Sequence, residues 1–301
     1  MDYDICVFGG CSLDIMYYGN EDGTFNEQPD KIVPGGKASN QAVAASRAGS
    51  KVTIITRLGK DKLGDTILDN LQYNGVFTNY VEMVEGLEND SAKIYIDPFT
   101  KDKETLRKNG AISSISKEIV ERYKDVFLNS KIIMCQTKVE KEVFVELIEF
   151  CHKYNKTLVL TPCCPEKIKL MDKKNIDLID KITYITANQK ECEIIFGTKN
   201  IEECVSKYPN KLIVTLGSDG VIYHNGTEII EIPSRVVDVK DTTGAGDTFA
   251  GNFVSALVKG YNLHDAIERA EIASTMKVQK ETAQAGMPYK EELDKYIEKN
   301  I

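Results

Sequence analysis

The chain has 301 residues, 42% of them hydrophobic and 28% charged, with a formal net charge of −8. Such a composition predicts a soluble globular protein of one large domain or two, and an acidic balance without a dense basic stretch argues against nucleic acid as a main partner. No apolar run reaches the roughly 18 residues that span a bilayer. "MDYDICVFGG" lacks the basic region and long apolar stretch of a signal peptide, so a cytoplasmic location without membrane partners is expected. The eight cysteines contain no C-x-x-C pair, and several, such as Cys6 and Cys135, sit in apolar runs. They read as buried thiols; Cys163–Cys164 is the one suggestive pair, and adjacent cysteines rarely share a metal.

In chain order, apolar β-type runs alternate with helical patterns. Strands are predicted at 3–10, 51–59, 131–136, 157–162, 182–188 and 211–217, with helices at 37–48, 64–73, 117–128, 140–154, 189–196 and 201–208. Continuous apolar strands separated by helices predict an α/β fold with a parallel sheet covered on both faces. Residues 15–34 and about 78–112 break this rhythm with short alternating segments. They read either as a small antiparallel sheet projecting from the main layer or as edge strands of the main sheet. Within them, "KDKETLRK" (101–108) is mixed in sign and reads as a solvated loop or helix start. "IYHNGTEIIEI" (222–232) predicts a hairpin with a type I′ turn at Asn225-Gly226. Helices at about 245–259, 263–279 and 290–299 close the chain.

Five stretches carry polar residues suited to a site. Asp14 follows the first strand at the edge of the sheet where open α/β folds bind ligands, a position that a turn or cap residue also occupies. "PGGKASNQAVAASRAG" (34–49) puts Lys37, Ser39 and Asn40 in the first turn of a small-residue helix after Gly35-Gly36. Fixed donors and acceptors of this kind read hydroxyls, although a plain capped helix would look the same. "ITANQKECE" sets Asn188 and Glu191 three apart beyond a strand, suited to a hydrated Mg2+ near phosphates. "VTLGSDG" offers Thr215, Gly217, Ser218 and Gly220 in a polar glycine-rich turn able to touch nucleotide phosphates.

The fifth stretch, "DTTGAGDTFAGNF" (241–253), reads as a strand-to-helix junction, between the β-branched run "SRVVDVK" and a helix. Glycines there let a ligand approach the backbone, and the open N–H groups of a helix start face an anion. Neither a P-loop nor the G-x-G-x-x-G dinucleotide fingerprint is present. What remains is an anion-binding turn that also carries Asp247. The helix dipole favours the ionised form of such an acid, which can accept a hydroxyl proton while the amides steady a transferring phosphoryl group. A helix cap with no further role is the alternative.

"GGKASNQAVAASRAG…VTIITRLGKDKLGD" and "DTTGAGDTFAGNF", in that order, resemble the two signatures of the ribokinase-like (phosphofructokinase B) carbohydrate kinases. The resemblance extends over nearly the whole chain, through "ITANQKE", "IVTLGSDG" and "AQAGMP". It implies a single domain over 1–301: a three-layer α/β sandwich with a mostly parallel sheet and a small antiparallel β lid drawn from 15–34 and 78–112, which in family dimers clasps the partner's lid. It also implies transfer of the ATP γ-phosphate to a hydroxyl of a sugar or nucleoside. By position, Asp247 would be the base and Gly244, Ala245 and Gly246 the anion hole. Asp14, Gly36, Lys37 and Asn40 would hold the substrate. Asn188 and Glu191 would organise Mg2+, and Thr215, Gly217 and Ser218 would lie along ATP. Asp241 and Thr243 match positions that help bind a monovalent cation, which makes K+ an expected cofactor.

The chain departs from the ribokinase pattern at the substrate. Ser12 stands where ribokinases carry Asn, Lys138 where they carry Glu, "TPCC" where they read "NPAP", and Thr282 replaces a Gly of the cation loop. A Lys facing the pocket would favour a substrate with negative charge or another hydroxyl orientation. Sugar acids, sugar phosphates and nucleosides therefore stand beside ribose as candidate substrates.

Overall fold

The computed structural model describes residues 2–100, 102–164 and 176–300. In chain order the strands are β1 (Tyr3–Phe8), β2 (Ser12–Tyr18), β3 (Lys31–Gly35), β4 (Val52–Gly59), β5 (Phe77–Val84), β6 (Ser91–Ile96), β7 (Lys103–Lys108), β8 (Ser130–Gln136), β9 (Thr157–Thr161), β10 (Tyr184–Asn188), β11 (Leu212–Thr215), β12 (Val221–His224) and β13 (Ile229–Ile232). The helices are α1 (Lys37–Arg47), α2 (Lys62–Tyr73), α3 (Glu118–Arg122), α4 (Lys124–Leu128), α5 (Lys141–Lys153), α6 (Ile176–Lys181), α7 (Gln189–Phe196), α8 (Ile201–Lys207), α9 (Ala245–Val258), α10 (Leu263–Lys277) and α11 (Lys290–Asn300).

Nine strands form the central sheet in the order β13-β12-β11-β10-β9-β8-β1-β4-β5, parallel except for the antiparallel pairings of β12 and β13. Each central strand is apolar on both sides because both faces are covered. On β1, Cys6 and Phe8 enter one core with α3 to α8, while Ile5 and Val7 enter the other with α1, α2, α9 and α10. Burying each such aliphatic side chain contributes about 1.5–3 kcal/mol. Helix α11 packs outside α10 through Leu293 against Ile272 and Ala273.

Strand β1 pairs with β4 on one side and β8 on the other, so the chain winds outward from this point in both directions. A crevice opens beyond the carboxyl ends of strands at such a switch point. The ends of β1, β8, β9, β10 and β11 deliver Gly10, Lys138, Cys163, Asn188 and Thr215 to it.

Over this crevice stands a four-stranded sheet in the order β3-β2-β6-β7. Its β2–β3 and β6–β7 pairings are antiparallel and β2–β6 is parallel. The two irregular stretches thus divide between both readings. Residues 77–84 are not in the small sheet: β5 pairs with β4 as an edge of the central sheet, and its Phe77 and Tyr80 rings pack edge-on against Tyr3. In the small sheet Leu13, Ile15 and Tyr17 turn inward to the core and are buried. The alternate residues face the crevice, and the register aligns Asp14, Ala92 and Arg107 in one row and Met16, Ile94 and Thr105 in the next.

Three local expectations are corrected. The hairpin loop is four residues, 225–228, with the Asn225 side chain accepting from the N–H groups of Thr227 and Glu228; only Gly226 has a positive φ, whereas a type I′ turn needs two. The β-branched run 234–240 is not a strand, and its Val236, Val237 and Val239 line a cavity instead. The helix over 117–128 is broken at Tyr123 into α3 and α4.

Candidate active site

Helix α9 begins at a backbone turn that only glycine fits. Gly244 has φ +80°, and a Cβ there would stand 2.7 Å from the Ala283 carbonyl oxygen. The Ala245 N–H donates back to the Thr242 carbonyl at 3.1 Å, closing the turn. Among the described residues nothing accepts from the N–H groups of Gly244, Gly246 and Asp247, so these are the donors left for an anion.

Asp247, 4% exposed, is held by two side-chain amides from α1. Asn40 Nδ2 donates to its Oδ2 at 3.0 Å and Gln41 Nε2 to its Oδ1 at 3.1 Å. Both amides are fixed from behind: Gln284 Nε2 donates to Asn40 Oδ1 at 2.9 Å, and Gln136 Nε2 to Gln41 Oε1 at 2.6 Å. Asn70 Nδ2 in turn donates to Gln284 Oε1 at 2.9 Å. A carboxylate can only accept, so every amide in the chain points its donor toward Asp247. The reach is short because α1 and α9 touch: a Cβ on Gly251 would lie 2.6 Å from Ala44 Cβ. The alanines of α1 and Gly251 of α9 permit that approach.

The N-terminus of α9 divides two cavities. One, of about 490 Å³, is lined by Asp247, Gly244, Ser12, Asp14, Gly36, Lys37, Asn40 and Lys138, which unites the residues expected to hold the substrate. Burial pushes the Asp14 carboxyl above its ordinary pKa, opposed by Arg107. The Asp247 carboxylate raises the pKa of Lys37 against the effect of burial. Lys138 faces this cavity, its Nζ 3.8 Å from Oδ1 of the buried Asp90, whose pKa is pushed up by desolvation. "KDKETLRK" is not merely solvated: Lys103, Thr105 and Arg107 alternate along β7 and line the same cavity, while Lys101 lies outside the described residues. Cys163 and Cys164 line it too, and all eight cysteines are free thiols.

The second cavity, about 520 Å³, is lined by Thr215, Gly217, Ser218 and Gly220, by Ala245 and Gly246 of α9, and by Val236, Val237 and Val239. Its polar glycine-rich rim and valine wall match the two halves of a nucleotide, phosphate and base. Asn188 and Glu191 are not in it. They flank a narrow cleft that shares Lys37 with the first cavity and Thr215 and Gly246 with the second. Their spacing also has a local cause: Asn188 Oδ1 accepts from the Glu191 N–H at 2.8 Å and Glu191 Oε2 from the Asn188 N–H at 2.9 Å, a capping box for α7. Burial raises the Glu191 pKa, with Lys37 opposing.

Sequence reasoning missed Gln41, Gln136, Gln284 and Arg107. The alternation Lys103-x-Thr105-x-Arg107 is the one signal that points to the last; the buried amides show no pattern until the helices are packed.

Residues 2–290 match the pfkB family carbohydrate kinases. The chain is 33% identical over 298 residues to the ribokinase of Bacillus subtilis, covering 98% of this chain and 99% of that one. It is 35% identical to the ribokinase of Lactococcus lactis, covering 94% and 93%. Among solved structures it is similar to Thermotoga maritima ribokinase (TM-score 0.84, 26% identity, 98% and 99% covered). Arabidopsis thaliana ribokinase complexed with ribose and ATP shares the fold (TM-score 0.83, 23% identity, 98% of each chain). The protein is an ATP-dependent carbohydrate kinase. It belongs to the pfkB family, with ribokinases among its relatives.

Proposed function

We propose that the chain transfers the γ-phosphoryl group of ATP to a hydroxyl of a ribose-like or other sugar, with Asp247 as the base. The observation that carries this is the position of α9: Asp247 opens on the substrate cavity while Ala245 and Gly246 border the nucleotide cavity. A sugar held by Asp14, Lys37 and Asn40 presents a hydroxyl to Asp247. As its oxygen bonds to phosphorus and the bond to the bridging oxygen of ADP breaks, the hydroxyl proton passes to Asp247. The N–H groups of Gly244, Gly246 and Asp247 steady the charge on the moving phosphoryl group. The small sheet covers the sugar, and its exposed Ile32 and Leu106 suit pairing with a second copy as a homodimer. ATP and free thiols favour the cytoplasm as the working compartment.

Mg2+ fits the cleft between the cavities. Glu191 keeps Oε1 outside its capping box and lies with Asn188 beside the anion-binding turn, and no cluster of three or more His, Cys, Asp or Glu able to cage a metal occurs among the described residues. That donor set suits an ion held by water and phosphates, with Asn188 and Glu191 holding its shell. When bound, it would neutralise phosphate charge. K+ fits less well: both carboxylate oxygens of Asp241 already accept, from Thr243 and Thr282, and its carbonyl holds Lys277 Nζ.

A second reading of the substrate rests on Arg107 and Lys138. They bring two cations to the sugar cavity, and Arg107 makes no ion pair within 4.0 Å among the described residues. This favours an acceptor bearing a carboxylate or phosphate over a neutral pentose or a nucleoside. The test is coupled ADP release over pentoses, hexoses, sugar acids, sugar phosphates and nucleosides. Turnover of none of them above the ATPase background would refute the kinase reading; turnover of only neutral sugars would refute the second.

A further inference from the structure

We propose that the buried ammonium of Lys277 supplies, from within the chain, the positive charge that the loops beside the anion-binding turn would otherwise take from a monovalent cation, so that this kinase works without K+. The inference rests on the kinase reading above and concerns its cofactor requirement.

Lys277 is the last residue of α10 and its side chain is 0% exposed, among the largest fully buried in the protein. A buried ammonium needs oxygen partners, because desolvation without them costs several kcal/mol. It finds one in the carbonyl of Asp241, to which Nζ donates at 2.6 Å. The Asp241 carboxylate adds attraction, Lys103 opposes it, and burial draws the Lys277 pKa down. The charge thus sits on the first residue of "DTTGAGD".

Several oxygens beside the turn are already engaged. Asp241 Oδ1 accepts from the Thr243 N–H at 3.1 Å and its hydroxyl at 2.7 Å, with Lys103 Nζ at 3.7 Å. Oδ2 accepts from the Thr282 N–H at 3.0 Å. The Val278 carbonyl takes two amides, from Lys240 at 2.8 Å and Asp241 at 3.1 Å. K+ binds by exchanging its water shell for carbonyl oxygens, and here the carbonyl of Asp241 already holds a cationic nitrogen. Thr282, in the left-handed region at φ +63°, keeps the facing loop in shape without glycine.

The consequence falls on the site. The braced loop runs from Asp241 through Thr242, whose carbonyl fixes the Ala245 N–H, into Gly244, which abuts Ala283. Lys277 therefore acts as a positioning residue for the amides that hold the phosphoryl group, and contributes its charge to the same turn.

The test compares the wild-type protein with Lys277→Ala and Lys277→Met in potassium, sodium and tetramethylammonium chloride at equal ionic strength, by ADP release and by thermal melting. The wild type should keep its rate within about 2-fold across the three salts and show no K+-specific rise in melting temperature. Lys277→Ala should lose about 10-fold or more in tetramethylammonium and regain most of it in potassium. Lys277→Met, which keeps the length without the charge, should share the loss. A wild-type rate that rises about 10-fold with K+, or a K+-specific melting shift, overturns the proposal. So does a Lys277→Met protein of wild-type rate in tetramethylammonium, or a folded Lys277→Ala protein that potassium cannot restore. If a variant fails to fold, the wild-type salt series decides. If no sugar is phosphorylated at all, the kinase reading fails, while the melting series still judges the cation.

Discussion

Gln41 and Asp247 lie 206 positions apart in the chain, yet Nε2 of the first donates to Oδ1 of the second at 3.1 Å. The bond crosses the contact between α1 and α9 and ties the acid at one helix start to the helix that carries Lys37 and Asn40. With Asn40 on the other oxygen, the plane of the carboxylate is set by side chains that are themselves hydrogen-bonded from behind. An acid fixed in this way is oriented before any substrate arrives.

Asp247→Asn should lower kcat by about 10²–10⁴-fold, the usual worth of a positioned base, while leaving the fold intact. Stabilisation by ATP in a thermal melt should persist. Wild-type turnover in this variant would remove Asp247 from the mechanism.

Gln41→Leu keeps the bulk but removes a donor to Asp247 and the acceptor for Gln136 Nε2. The expected loss is about 10-fold in kcat with KM for ATP nearly unchanged, and about 1–3 kcal/mol of stability from the stranded amide. A purely structural role would lower stability without this split between kcat and KM.

Gly251→Ala would place a methyl carbon 2.6 Å from Ala44 Cβ and 2.7 Å from the Gln41 carbonyl oxygen. Both are parts of a packed helix that cannot swing aside, so α1 and α9 must separate. Denaturant unfolding should show a loss of about 1–3 kcal/mol. Activity should fall as well, because the amides no longer reach Asp247.

Arg107→Ala and Lys138→Ala should separate acceptor classes. For an anionic sugar, loss of one charge-assisted partner should raise KM about 10- to 100-fold, while a neutral sugar should change little. Equal effects on both classes would show that these cations do not read charge.

Glu82 sets a pH dependence of stability. Burial acts to raise its pKa, but hydrogen bonds from Arg57, Tyr123 and Arg122 outweigh that and lower it. Its folded value therefore lies below the ordinary value of about 4.3, and the stabilisation is present above that value and lost as pH falls through the folded pKa. Glu82→Gln should cost about 2 kcal/mol at pH 7. Melts taken from about pH 5 downward should show the gap to wild type closing.

Much of this was legible in the sequence, for local reasons. Strands buried on both faces must be apolar throughout, so β1, β4, β8 and β11 announce themselves. The turn before Asp247 shows itself because backbone geometry demands glycine where only glycine fits. The amides behind Asp247 were hidden: Gln136 meets Gln41 from 95 positions away and Gln284 meets Asn40 from 244, and an uncharged polar residue carries no periodic signal. "SRVVDVK" misled because β-branched residues favour extended backbone whether or not a neighbouring strand pairs with it. Here the valines line a cavity instead. Lys277 gave no sign of its role, since a lysine ending a helix is ordinary until its burial is known.

Strand β3 ends at Gly35 and α1 starts at Lys37, so one residue, Gly36, joins the small sheet to the helix that grips Asp247. With φ +89° and no room for a Cβ beside the Ser12 nitrogen, Gly36 leaves no slack between the two. The small sheet and the amides that hold Asp247 are thus carried on one continuous piece of backbone, and a side chain at position 36 would disturb both together.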